Sequence, residues 1–160
     1  MMTGPQGLYF EAFSVGQVMV TRGRTITEAD LVQFAGLTGD YNPMHTDAEY
    51  MKGHMLGQRI AHGMLTLSYA VGQAYQLGFM ERTVLAFRGL EMKFSQPVYI
   101  GDTLHTELTV QETKPARRLG GGLITLGIKI INQGGQTVQS GTWTVLIASQ
   151  PDAESTDAEA

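Results

Sequence analysis

Residues Ile60 to Gly78 read IAHGMLTLSYAVGQAYQLG, and the period of this stretch decides the fold. The apolar residues Ile60, Met64, Leu67, Val71 and Ala74 recur at spacings of four, three, four and three, which is the period of a helix with one buried face. Gly78 supplies a C-terminal stop. Ala61, Leu65, Ala70 and Tyr75 make other faces apolar as well, so this helix is expected to be wrapped by a sheet and not merely laid on one.

Beyond Gly78 the period changes to that of strands. Residues 84–94, 103–113, 121–131 and 137–147 are rich in Thr, Val, Ile and Leu, with turn signals at Pro97, Gly101, Gly120 to Gly122 and Gly134-Gly135. The last two segments read as a hairpin through Asn132-Gln133-Gly134-Gly135, and Gly120 to Gly122 as a flexible turn. On the N-terminal side, Val18 to Thr25 is β-prone. Thr27 then offers an N-cap with Asp30 at the third helical position, leading into Leu31, Phe34 and Ala35 on one face, with Gly36 and Gly39 ending the helix. A strand, a helical segment and a long antiparallel meander make an α+β chain with an antiparallel sheet and no internal repeat.

Composition fits one domain: 160 residues, 42% apolar and 16% charged, able to bury a core. No apolar run approaches the roughly 18 residues of a membrane-spanning helix. Met1 to Gly7 lacks a basic segment followed by an apolar one, so cytoplasmic residence is the expectation. With no Cys there are no disulfides, thiol nucleophiles or cysteine-ligated metals. A net charge of -4 argues against nucleic acid as a partner. Part of that charge lies in Pro151 to Ala160, where Asp152, Glu154, Asp157 and Glu159 have almost nothing to bury and read as a solvated tail.

The chemistry concentrates between Phe34 and Gly63. Asp40 and His45, an acid and an imidazole five residues apart and braced by Gly39 and Asn42-Pro43, suit a rigid turn that aims both side chains at one small volume, as water activation requires. Thr46-Asp47-Ala48-Glu49 has the capping-box pattern, which starts a helix right after His45 and sets the imidazole beside a positive helix end that disfavours its protonation. Each residue also has a plainer reading. Asp40 suits a turn that caps its own backbone, Gly63 a close-packing glycine, and His62 a structural histidine, since nothing around it in the sequence marks a partner. His54 and His105 read as ordinary surface or strand residues. His45-x-Asp47 and the His54 to His62 spacing match no ligand set, so no metal is expected. Ser68 and Ser95 lack a nucleophile-elbow context.

The run Phe34-x-x-Leu37-Thr38-Gly39-Asp40-x-Asn42-Pro43-Met44-His45-x-Asp47 resembles the hydratase signature of the MaoC-like, (R)-specific enoyl-CoA hydratase family. It departs at Met44 and Met51, where that family usually has a branched aliphatic residue and Ala. Ile60-Ala61-His62-Gly63, Lys93 to Val98 and Gly101 to Leu104 extend the likeness over most of residues 17–147.

The resemblance implies a single hotdog fold, a curved antiparallel sheet around a central helix, over residues 17–148, with 1–16 as an extension and 149–160 as the acidic tail. It implies an enzyme, a hydro-lyase that adds water reversibly to a trans-2-enoyl-CoA and yields the (R)-3-hydroxyacyl-CoA. Asp40 and His45 would be catalytic, the Gly63 N–H would be the oxyanion donor, and Asn42 would brace the loop and hold His45. Coenzyme A would arrive as part of the substrate, with no other cofactor, and Lys114, Arg117 and Arg118 could meet its phosphates. A homodimer or higher homo-oligomer is expected. A hotdog acyl-CoA thioesterase and a non-catalytic acyl-thioester binding subunit are the alternatives.

Overall fold

The computed structural model describes residues 7–151. Its long strands are β3 (Val84–Phe94), β4 (Thr103–Ala116), β5 (Gly121–Ile131) and β6 (Thr137–Ala148), close to the sequence expectation. Alternation is cleanest in the middle of the sheet, where Leu104, Leu108 and Val110 of β4 and Ile124, Leu126, Ile128 and Ile130 of β5 all turn to the buried face.

Strands β4, β5 and β6 form an antiparallel meander, and the β5–β6 hairpin turns at Asn132–Gly135 as expected. The side-chain oxygen of Asn132 accepts the N–H groups of Gly134 and Gln136, each at 3.0 Å. The meander does not extend back to β3. The sheet order is β1-β4-β5-β6-β3, so β3 pairs with β6 and lies at the far edge from β1. The connection from β3 to β4 makes other bonds. Ser95 N–H donates to the Val138 carbonyl (2.9 Å), Ala61 N–H donates to the Val98 carbonyl (2.7 Å), and Tyr99 bridges to Ile60. This crossing carries residues 95–99 past the start of the central helix and builds one wall of the site.

The β-prone run before Thr27 divides into β1 (Val18–Val20) and β2 (Arg24–Thr25), both antiparallel to β4. Helix α1 (Glu28–Thr38) then opens on a reciprocal capping box. Thr27 Oγ1 accepts the Asp30 N–H, and Asp30 Oδ2 accepts the Thr27 N–H at 2.7 Å. The helix runs through Gly36, which the sequence marked as a stop, and ends only at Gly39 with φ 76°, where the left-handed cap needs a glycine.

Two four- and five-residue helices follow, α2 (Pro43–Thr46) and α3 (Ala48–Lys52), and then the central helix α4 (Gly63–Gln76). Helix α4 starts at Gly63 and not at Ile60, because Ile60 and Ala61 are held extended by Tyr99 and Val98. It also buries a different stripe from the predicted one. Leu65, Thr66, Leu67, Ala70, Gln73 and Ala74 face the core, whereas Met64 is 53% exposed and Val71 38%. Ala70 and Ala74 are small enough to let the sheet approach. Gln73 is accepted in the core because its amide donates to the Arg22 and Leu104 carbonyls (2.9 and 3.0 Å) and accepts from Thr106 Oγ1 (3.1 Å). A period count alone ranks Met64 and Val71 above a glutamine.

The segment before Val18 belongs to the same core. Phe13 is buried edge-on to Phe79 with ring centroids 6.1 Å apart, and the Phe10 ring lies where a Cβ on Gly122 would stand. Gly121 is equally tight, its missing Cβ falling 1.9 Å from the Ile147 carbonyl oxygen. Both glycines are therefore packed members of β5, and only Gly120 (φ 74°) serves the expected turn. At the other end the tail expected at 149–160 begins later, since Ser149 N–H donates to the Gly120 carbonyl and Gln150 N–H to a Glu11 carboxylate oxygen, each at 3.0 Å, and residues 152–160 lie outside the described residues.

Candidate active site

The loop between α1 and α4 is built by successive caps. Asn42 Oδ1 accepts the Met44 N–H (3.1 Å), and Pro43 occupies the first helical position, so the pair nucleates α2. The turn takes in Thr46, whose hydroxyl donates to the Tyr41 and Asn42 carbonyls (3.1 and 3.2 Å). Asp47, not Thr46, therefore caps α3 and accepts the Tyr50 N–H at 2.9 Å. His45 lies inside α2 and not at the mouth of the next helix. The expected bond from the Asn42 amide across the loop to His45 is replaced by this cap, although the Asn42 carbonyl does accept the His45 N–H at 2.9 Å.

His45 is buried, and its Nδ1 lies 2.8 Å from the Ile60 carbonyl oxygen. A carbonyl only accepts, so Nδ1 carries the proton and Nε2 is left with its lone pair. Burial pushes the imidazole pKa down, the Ile60 carbonyl draws it back up, His62 lowers it again and the Asp40 carboxylate raises it, with the net direction downward. The sequence reading reached the same direction from the helix dipole, but the leading cause is loss of water.

Asp40 is exposed, and its Oδ1 accepts the Asn42 N–H at 3.2 Å, so it does cap its own turn. The same carboxylate is also gathered with His45 and His62, one ligand-capable atom from each lying within 4.8 Å of the others. His62, read as structural because nothing in the sequence marks a partner, has both Asp40 and His45 as partners. Its ring stacks on His45 with centroids 3.8 Å apart and 26° between planes, and its Nε2–H donates to the Asp40 main-chain carbonyl at 3.0 Å. Its contacts to His45 and Asp40 span 17 and 22 positions of chain, beyond any local pattern.

An acid and two imidazoles also suit a transition metal by type, a possibility the sequence spacing did not suggest. Their geometry suits water better. Two imidazoles on one ion point in-plane lone pairs at a common centre, and rings lying nearly parallel at 3.8 Å aim theirs side by side.

Gly63 is the first residue of α4, where helix geometry leaves its N–H without an intrahelical partner. Its carbonyl is clamped by Thr66 Oγ1 (2.8 Å) and by the Gln139 amide nitrogen (3.0 Å), which also donates to Thr66 Oγ1. Gln139, a buried polar residue of β6, thus locks the first turn of the helix. In the sequence it shows only as one polar residue among the several of this strand.

Met44, His45, Ile60, Gly63, Phe94 and Gln139 line a cleft of about 450 Å³ that also takes in Ser95 to Val98. His45 forms part of a second recess of about 270 Å³ on its α1 side, where Arg59 holds Glu28 through two bonds of 2.8 and 2.6 Å. Lys114, Arg117 and Arg118 lie elsewhere. Arg117 and Arg118 lie beside Gly121, the partner of Ala148, and Lys114 pairs with Leu123; the nine steps of β5 from Gly121 to Ile130, the partner of Gln139, span about 30 Å of strand. That cluster does not reach the cleft of its own chain. His54 accepts the Leu56 N–H locally, and His105 lies on β4 with no part in the cleft.

Comparison with known proteins identifies the family and the fold. The family model described as MaoC like domain matches residues 11–128. Protein MaoC of Klebsiella aerogenes is 39% identical over 102 residues, which cover 63% of this chain but only 30% of that protein. The (R)-specific enoyl-CoA hydratase of Rhodospirillum rubrum is 34% identical over 111 residues, 69% of this chain and 74% of the hydratase. Among solved structures, the unliganded R-hydratase of Pseudomonas aeruginosa superposes with a TM-score of 0.77 at 30% identity, covering 91% of this chain and 88% of that one. A curved antiparallel sheet around one long helix, at these similarities, is a single hotdog, and the chain belongs to the MaoC-like domain family.

Proposed function

We propose that this chain is an enzyme that hydrates a trans-2-enoyl-CoA reversibly to the (R)-3-hydroxyacyl-CoA. The observation that carries the reading is the free Nε2 of buried His45 in the wall of a cleft shared with Gly63, with the Asp40 carboxylate alongside.

Asp40 and His45 bind and orient one water. His45 Nε2 takes a proton from it, and the oxygen adds to C3 of the enoyl group. The C2–C3 π electrons move toward the thioester carbonyl, and the resulting enolate oxygen is stabilised by the Gly63 N–H at the start of α4. The proton held by His45 then returns to C2 on the same face, and dehydration runs through the same groups in reverse. The apolar lining from Met44, Ile60, Phe94, Pro97 and Val98 suits an acyl chain. No resident cofactor or metal enters the reaction, and coenzyme A belongs to the substrate.

A homodimer is part of the proposal. The edge strand β3 exposes Leu85, Phe87, Leu90 and Phe94, and α4 exposes Met64, Val71 and Tyr75, an apolar surface that a second copy would cover.

Incubation with crotonyl-CoA tests the reaction. Loss of enoyl absorbance without free thiol supports the hydratase, release of free thiol replaces it with a thioesterase, and binding without either change replaces it with a non-catalytic binding subunit.

A further inference from the structure

We propose that His62 is a positioning residue that holds the water-handling pair in register: its ring fixes the face of His45 while its Nε2–H pins the main chain of Asp40. The inference rests on the roles given above to Asp40 and His45.

The ring of His62 is 2% exposed and lies between Phe34, 5.0 Å away by centroid, and His45, 3.8 Å away. A phenyl ring would fill that slot equally well. What the imidazole adds is the Nε2–H bond to the Asp40 carbonyl, and it adds that at a cost. With Nε2 engaged, Nδ1 is buried and has no hydrogen-bond partner among the described residues. An unmet buried polar atom carries a desolvation penalty that a space-filling role would not require.

The benefit falls on the two groups that need placing. Asp40 is exposed, and the other bonds that Asp40 itself makes are long, 3.2 Å from its carboxylate to the Asn42 N–H and 3.3 Å from its own N–H to Thr38 Oγ1. His45 is fixed at Nδ1 by Ile60 but can swing about that bond unless its face is supported. His62 supplies both restraints and is also the residue just before Gly63, so one side chain ties the acid, the base and the start of α4 together. A displacement of about 1 Å in such a constellation costs on the order of a hundredfold in rate. The titratable and charged groups facing His45 are Asp40 and His62, with Glu28 and Arg59 across the recess on its other side.

Three variants separate the restraints. His62→Phe keeps an aromatic ring and removes the donor. His62→Gln places an amide nitrogen near the position of Nε2, and His62→Asn places one only as far out as Nδ1. With crotonyl-CoA, the Gln variant is expected to retain kcat within about tenfold of wild type, while Asn and Phe lose roughly 10- to 100-fold, KM moving only a few-fold throughout. Melting temperatures identify any variant that fails to fold.

A second readout needs no substrate: the NMR titration midpoint of the His45 ring, which should rise in all three variants because His62 is one of the groups that lower it. A Phe variant with wild-type kcat, equal losses in Gln and Asn, or a His45 midpoint that moves in none of the three overturns the role of His62. A wild-type protein that leaves crotonyl-CoA untouched overturns the reaction instead, and with it the pair that His62 is proposed to hold.

Discussion

The oxyanion role of Gly63 can be isolated because its local geometry accepts two informative substitutions. Gly63 is the first residue of α4, a position where proline is favoured and where the N–H has no intrahelical acceptor to lose. Proline also restricts its predecessor to extended backbone, and His62 already has φ -59° and ψ 133°. Gly63→Pro should therefore fold and delete one donor. Its side chain brings a second effect, since a Cβ at this position would stand 2.8 Å from Cδ1 and Cε1 of Phe94. Phe94 is 53% exposed and its ring can turn aside, but it is a wall of the cleft, so displacing it narrows the space for substrate. Gly63→Ala carries the same Cβ clash and keeps the N–H, so the ratio of the two variants removes the Cβ part and leaves the lost donor together with the Cδ that takes its place. Loss of one oxyanion donor is worth about 2.7–4 kcal/mol, or on the order of 10²–10³ in kcat. The expected result in a steady-state crotonyl-CoA assay is a few-fold rise in KM with near-normal kcat for Gly63→Ala, and kcat at least about a hundredfold lower for Gly63→Pro. Both variants should melt near wild type. A Gly63→Pro protein that melts normally and turns over within a few-fold of Gly63→Ala would refute the reasoning and leave Gly63 as a glycine required by Phe94.

Asp40→Asn and His45→Ala should each remain folded and lose roughly two or more orders of magnitude in hydration, the scale of a missing general acid or base; wild-type turnover in either removes that residue from the mechanism. Because His45 works unprotonated and burial lowers its pKa, activity should persist below the ordinary imidazole range as pH falls. An acid limb of kcat/KM centred at or above that range contradicts the assignment. Asn42→Ala removes the cap of α2 and should lower stability by about 1 kcal/mol with a smaller loss of rate than the Asp40 or His45 variants. Unchanged melting and unchanged rate would show that the cap is idle. Activity should survive EDTA, and loss restored by Zn²⁺ would mean that Asp40, His45 and His62 hold an ion after all.

What could be read from the sequence was whatever a few neighbouring residues decide among themselves. The Thr27–Asp30 capping box, the Asn132–Gly135 hairpin and the limits of β3 and β5 rest on contacts within a few positions, and the structure places them as expected. Competition among local signals already blurred the picture. Thr46 and Asp47 are both good caps, and the choice went to Asp47 because Asn42-Pro43 had nucleated a helix that consumed Thr46. The partner of β3 was not legible at all, since pairing with β6 depends on where residues 95–99 cross, and those bond to Val138 and to Ile60 and Ala61, two distant parts of the chain.

The same distinction explains why the site was read as a pair and is built as a larger unit. Asp40 and His45 share one turn, so their spacing carries information. The groups that hold them do not share it: Ile60 fixes the tautomer of His45, His62 joins both residues, and Gln139 locks the helix turn from a strand 76 residues beyond Gly63. Catalysis places its strictest demand on these supports, because a base with the right proton affinity is of no use an ångström out of line. On the proposed mechanism, the residues that looked least chemical in the sequence, a histidine with no marked partner and a glutamine in a strand, would therefore be where the geometry of the reaction is held.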